Sequence, residues 1–172
     1  MKGFLLGLIV GLAAVAIGLF SYFAIGMAPV ATSAAPMPLE RTLAKLALHA
    51  RIGREMPKNA PIAASESNYS AGAQIYRSNC AICHGLPGQP ETSISKGMFP
   101  DVPQLFRGHG VTDDPAGETY WKVSNGIRLT GMPGFKNTLS ETERWQVSLL
   151  LADADKLPQV VKNNLAPPLL VQ

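Results

Sequence analysis

Cys80-Ala81-Ile82-Cys83-His84 contains both cysteines of the chain and one of its three histidines. C-x-x-C-H is the attachment sequence for c-type haem. The spacing has a chemical reason. Two thiols on one turn can each add to one of the two vinyl groups at the porphyrin edge, and the next histidine reaches the iron as proximal ligand. Two other readings compete. A redox dithiol wants a βαβ setting, whereas a helical pattern leads into Cys80. Half of a zinc site wants a second cysteine pair, and the chain has no further cysteine. One haem held through Cys80 and Cys83 uses all three rare residues.

The rest of the composition fits that reading. Less a membrane segment and a tail, 172 residues leave one domain of about 100. A covalently held haem would supply much of the apolar core that so small a domain finds hard to build. The net charge of +3 is modest and its basic residues are scattered, which argues against nucleic acid. With both cysteines in the motif, there is no disulfide framework and no cysteine for a lipid anchor.

From Gly3 to Val30 no residue is charged, and most are Gly, Leu, Ile, Val, Ala or Phe. About 25 residues at ~1.5 Å each cross a ~30 Å hydrocarbon layer with some tilt. Residues 1–30 are therefore expected to be a transmembrane anchor, because a cleaved signal has a shorter apolar region of roughly 7–15 residues. Ala31, Ser33, Ala34 and Ala35 would still suit a peptidase, so a cleaved segment stays open. Lys2 points weakly to a cytoplasmic N-terminus, while Arg41, Lys45, Arg51 and Arg54 beyond the span pull against it.

Residues 31–67 read as a spacer. Leu39, Leu43, Leu46 and Ala50 recur at helical spacing among Glu40, Arg41, Lys45 and Arg51, so a short amphipathic helix is expected there. It would lie on the membrane or along the following domain. His49 reads as a surface residue, and Pro57 to Ser67 as the linker.

The globular domain is expected over 68–156. A helix should run from Tyr69 to Asn79, capped by Asn68 or Ser70. Gly72 and Tyr76, four apart, share one of its faces. The Gly/Pro-rich passage from Gly85 to Gly110 shows little periodicity, as expected of a loop wrapped over a flat cofactor. Asp113-Asp114-Pro115 opens a second helix that Asn125-Gly126 stops. Ser140-Glu141-Thr142-Glu143 is a capping box that starts a third helix, with Trp145, Leu149 and Ala152 on its buried face. Pro158 is expected to end it, leaving 157–172 as a loose tail.

The order of these motifs resembles the class I cytochrome c domain over roughly Asn68 to Lys156. The resemblance implies an all-α fold of three main helices and long loops around one covalently attached haem, here preceded by a transmembrane helix. It implies that Gly72 and Tyr76 are the small and aromatic pair where the first and last helices cross. In Pro103-Gln104-Leu105 it implies a P-x-L whose proline carbonyl accepts the Nδ1 proton of His84, fixing its tautomer. Met132, in Gly131-Met132-Pro133-Gly134-Phe135, looks like the distal iron ligand, leaving Met98 as core filler in the loop on the proximal side. Leu150 departs from the pattern, since many members carry an aromatic residue there. Trp121 and Arg107 are candidates for a haem propionate, though a core tryptophan and a solvated arginine are the plainer readings. His109 is the rival histidine and reads as a loop residue. By the same resemblance, bacterial haem attachment places the domain on the outer, periplasmic face of the inner membrane, with a single pass.

A His/Met-ligated haem has both axial positions filled and a relatively raised potential. The chain shows no Ser-His-Asp set and no cofactor-binding glycine loop. The expectation is a membrane-tethered one-electron carrier, not an enzyme, docking transiently with redox protein partners. The alternative is a fixed cytochrome c subunit of a membrane-bound dehydrogenase or oxidase complex. A sensor or small peroxidase would need Met132 to leave the iron easily.

Overall fold

The structure, a computed structural model, describes residues 1–107 and 114–169. It divides into two units, Met1–Leu43 and Ala44–Gln172. Among the described residues there is no strand, only an isolated antiparallel bridge between Ile127 and Met132.

The first unit is built on α1, Lys2–Ala24, a helix of 23 residues with none of them buried. At ~1.5 Å per residue it is long enough to span a ~30 Å hydrocarbon layer. It stops six residues short of the expected Val30. The Ile25 N–H returns to the Ser21 carbonyl at 2.9 Å, and Gly26 turns the chain at φ +76, a conformation glycine adopts without a Cβ penalty.

The spacer helix α2 runs over Glu40–Glu55 and straddles the division. Leu39, expected within its stripe, precedes it at φ +66 and accepts the Leu43 N–H at 2.9 Å. Leu43 and Leu46 stay exposed, and so does His49, as expected. Ile52, nine residues beyond Leu43 and so half a turn round the helix, is buried in the second unit. The linker then passes close to Gly117, on which the Pro57 carbonyl presses.

In the second unit α3 (Glu66–Asn79) leads directly into the one-turn helix α4 (Ala81–His84). Its N-cap is Ser65, whose hydroxyl accepts the Asn68 N–H at 3.4 Å, not Asn68 or Ser70. A second one-turn helix, α5 (Ser93–Lys96), interrupts the loop expected to lack regular structure, with Thr92 as its cap. The middle helix α6 (Ala116–Asn125) ends at Gly126, φ +67, where the sequence placed its stop. On α7 (Glu141–Ala152) the capping box closes both ways: Glu143 N–H to Ser140 Oγ at 3.2 Å, Ser140 N–H to Glu143 Oε2 at 2.8 Å.

The core sits where α3 crosses α7. Gly72 lies hard against the Gln146 carbonyl, and a Cβ there would also be 3.2 Å from Leu150 Cβ. Leu150 is fully buried, so an aliphatic side chain fills this crossing beneath the glycine. Ala73, Tyr76 and Val147 share the core. On the α6 side, Tyr120 stacks on Trp145 with centroids 4.2 Å apart, and the Arg144 guanidinium lies 5.1 Å from the Tyr120 ring.

Part of the expected loose tail is helical. Pro158 caps a further helix, α8 (Gln159–Leu165), which packs on α3 through Val161 and Leu165, with Leu157 buried just before it. Burying each such side chain contributes about 1.5–3 kcal/mol. Arg77 extends the closure by donating from Nη1 to the Pro167 carbonyl at 2.6 Å, and Gln89 Nε2 donates to Ala166 at 3.0 Å. Pro158, expected to end α7, instead starts α8; α7 has already ended at Asp153.

Candidate functional site

The attachment turn is continuous with α3. The Cys80 carbonyl accepts both the Cys83 N–H at 3.1 Å and the His84 N–H at 2.9 Å. One helical turn therefore carries both thiols and the imidazole. Both cysteines are free and half-buried.

A four-residue helix has too few internal bonds to hold itself, so its outer carbonyls need partners. Three side chains from elsewhere supply them. Thr92 Oγ1 donates to the Ile82 carbonyl at 2.6 Å, Gln104 Nε2 to Cys83 at 3.4 Å, and Tyr76 Oη to Gly85 at 2.8 Å. Gln104 also closes over Gly85, whose φ of +70 and missing side chain leave room for it. Thr92 and Gln104 were not singled out from the sequence. Gln104 sits between the two residues of P-x-L that were, and its signal was its place beside Pro103.

His84 Nδ1 lies 2.9 Å from the Pro103 carbonyl. That acceptor requires the proton on Nδ1, which leaves the Nε2 lone pair directed outward for a metal. Burial holds the imidazole below its ordinary pKa, with the Pro103 carbonyl pulling the other way. Leu105 is half-buried against the core cluster together with Phe106, whose ring meets Tyr76 edge-on at 5.0 Å. Burial, with the neighbouring Cys83, pushes the Cys80 thiol up to about 12. A thiol held protonated is a poor redox nucleophile. Among the described residues no group of three or more His, Cys, Asp or Glu side chains gathers as a metal site would need.

Met132 arrives on a separate loop, from Gly126 to Leu139, pinned to the end of α6. Ile127 N–H bonds the Met132 carbonyl at 3.2 Å, Met132 N–H bonds Thr130 Oγ1 at 3.3 Å, and Phe135 N–H reaches back to Val123 at 2.8 Å. Two glycines make the fit possible. A Cβ on Gly126 would stand 2.7 Å from the Met132 carbonyl oxygen, and one on Gly134 2.8 Å from the Asn125 carbonyl. Arg144, 8 % exposed, braces the same corner by donating to Ser124 Oγ at 2.7 Å. The Met132 loop is thus shaped by the polypeptide itself. Two thiols and an imidazole on one turn, with a preformed methionine loop, fit a c-type haem.

Trp121 Nε1 donates to Glu55 Oε2 at 3.0 Å, tying α6 to α2, and the buried core tryptophan is Trp145. Arg107 is exposed. His109 lies outside the described residues. Met98, expected on the proximal side, has its methyl against Gly131 of the Met132 loop.

Comparison with known proteins agrees with the geometry. Residues 67–149 match the family described as cytochrome c oxidase, cbb3-type, subunit III. The chain is 38% identical over 82 residues to the cytochrome c subunit of a quinone alcohol dehydrogenase of Gluconobacter oxydans (strain 621H), covering 43% of this chain and 16% of that protein. It is 26% identical over 109 residues to the quinohemoprotein alcohol dehydrogenase ADH IIB of Pseudomonas putida, covering 62% of this chain and 14% of that one. The chain thus spans about one sixth or less of the length of these relatives.

Proposed function

We propose that this chain, whose residues 67–149 are a c-type cytochrome domain, is a one-electron carrier tethered to a bacterial inner membrane, with that domain in the periplasm. The observation that carries the proposal is the attachment turn, where two thiols and an imidazole with Nδ1 bonded to Pro103 share one helical turn. Cys80 and Cys83 would hold one haem by thioether bonds, and His84 Nε2 and the Met132 thioether would ligate its iron. A haem so ligated supplies a one-electron couple of raised potential when bound. The chain's own part is positional. Pro103 fixes the His84 tautomer, Leu105 packs the wall against the core, and the α6 corner holds Met132 in place. With His84 and Met132 both drawn from the chain as ligands, the haem would supply one-electron transfer to a transiently docked protein. The tether is supported by α1, long and apolar enough to cross a membrane.

A fixed subunit of a membrane-bound dehydrogenase is the second reading. It is favoured by the two relatives, both alcohol dehydrogenases by name. Mild detergent extraction followed by potentiometric titration tests the proposal. A single one-electron wave, a reduced form slow to bind carbon monoxide, and a chain free of stoichiometric partners are expected. Rapid carbon monoxide binding would contradict the filled axial position. Constant co-purification with a dehydrogenase would move the assignment to the second reading.

A further inference from the structure

We propose that Met98 is a positioning residue for Met132, packing its thioether methyl over Gly131 so that the ligand loop cannot move away from the iron. The proposal rests on the reading of Met132 as distal ligand. Its starting point is a contact that sequence order conceals. Met98 follows α5 in the loop beyond the attachment turn, yet a Cβ at Gly131 would lie 2.8 Å from Met98 Cε. Among the described residues, chain neighbours aside, that methyl is the one heavy atom within 4 Å of the point. Gly131 has φ +76, a conformation that favours glycine, and its missing side chain is what admits the methionine.

The two sides of the Met132 loop are therefore held differently. Towards α6 the contacts are backbone against backbone at Gly126 and Gly134, and they leave no slack. At Gly131 the neighbour that a Cβ would meet is an unbranched side chain, the type that fills irregular gaps. At the loop tip Leu129 stands 91 % exposed at φ +63, and the bonds there run within the loop, from Thr130 to Ile127 and from Met132 to Thr130. Met98 is itself well anchored. Its N–H bonds the Ser95 carbonyl at 3.2 Å at the end of α5, and α5 is capped by Thr92, which bonds the Ile82 carbonyl at 2.6 Å. A continuous path of contacts thus runs from the turn bearing Cys80, Cys83 and His84, through Thr92 and Met98, to the residue preceding Met132. Met98 sets the position of one ligand-bearing segment against the other.

Imidazole added to the oxidised full-length holoprotein competes with Met132 for the iron and reads this directly. Met98→Ala should keep the weak red charge-transfer band of the sulfur–iron bond but let imidazole replace Met132 at about tenfold lower concentration, the equivalent of about 1.4 kcal/mol. Met98→Leu, of similar volume, should restore the parent value. In a Met132→Ala background the Met98→Ala change should leave imidazole affinity unaltered, because no ligand loop remains to be held. An imidazole affinity in Met98→Ala equal to that of the parent would overturn the proposal, and so would failure of leucine to restore it. A test without substitution covers the case in which the alanine variant does not load haem. In the unmutated holoprotein labelled at methionine methyls, a nuclear Overhauser effect must link the Met98 methyl to the Gly131 α-protons, and its absence would overturn the proposal. Retention of the sulfur–iron band by Met132→Ala would instead remove the ligand reading itself, and this proposal with it.

Discussion

Tyr76 Oη donates to the Gly85 carbonyl at 2.8 Å, so the last helix turn before the attachment turn reaches forward to close the turn's far end. Tyr76 is fully buried, and burial raises its hydroxyl pKa well above the ordinary tyrosine value, so it remains a donor at any working pH. Tyr76→Phe keeps the ring against Phe106 and removes only the donor. It should cost about 1–3 kcal/mol, the price of leaving a buried acceptor unmatched. Urea unfolding of the holoprotein measures this, and an unchanged midpoint would mean that water or another donor replaces the hydroxyl.

Two glycines separate packing from helix propensity. A methyl group on Gly72 would meet the Gln146 carbonyl, which belongs to the α7 backbone and cannot swing aside. Gly72→Ala should therefore destabilise the domain by about 1–3 kcal/mol. Gly53, also helical, has nothing within 4 Å of the same point. Gly53→Ala should stabilise by roughly 0.5–1 kcal/mol through helix propensity alone. Thermal unfolding of the pair decides it, and equal shifts would contradict the close approach of α3 and α7.

Much of this architecture was legible in the sequence, and the failures have physical causes. The attachment turn, the Ser140 capping box and the Gly126 stop were each written in a few adjacent residues, so local rules sufficed. The start of α3 was missed because Ser65, Asn68 and Ser70 all make acceptable caps, and tertiary contacts choose among them. The α8 helix was missed because Pro158 read as the end of the preceding helix. Proline is in fact well suited to a helix start, and Leu157, Val161 and Leu165 recur every fourth residue. The contact of Met98 with Gly131 was not legible for a deeper reason. A loop with little periodicity carries no local signal of the side of the fold on which it lands.

The carboxylate of Glu55 should report the seating of α2. The Trp121 indole holds its pKa below the usual value, burial opposes it, and Arg51 adds to the lowering. A depressed folded pKa contributes stability that is present above the unfolded value, ~4.3, and lost as pH falls through the folded value. Acidification should therefore release the indole and change Trp121 fluorescence in that window, and Glu55→Gln should remove the change. A titration that persists in Glu55→Gln would assign it to another carboxylate.

The helix α1 carries no charge after Lys2 and should behave as an uncleaved anchor. The haem-bearing protein should stay in the membrane fraction through high-salt and alkaline washes. Removal of residues up to Ala35, behind a cleavable export signal, should yield a soluble red protein with the same spectrum. Full-length product found in the soluble periplasm, with a new N-terminus between Ala31 and Ala35, would show a cleaved signal instead.

Covalent attachment of one haem at Cys80 and Cys83 stands beneath every other assignment, and the mass of the denatured full-length chain tests it directly. The unmodified sequence should carry the added mass of one haem after denaturation. Cys80→Ala with Cys83→Ala should carry none and should lose most of its fold, because the cofactor would occupy the centre of a small core. A wild-type chain at its bare polypeptide mass, or a doubly substituted chain that still keeps its haem through denaturation, would contradict the account.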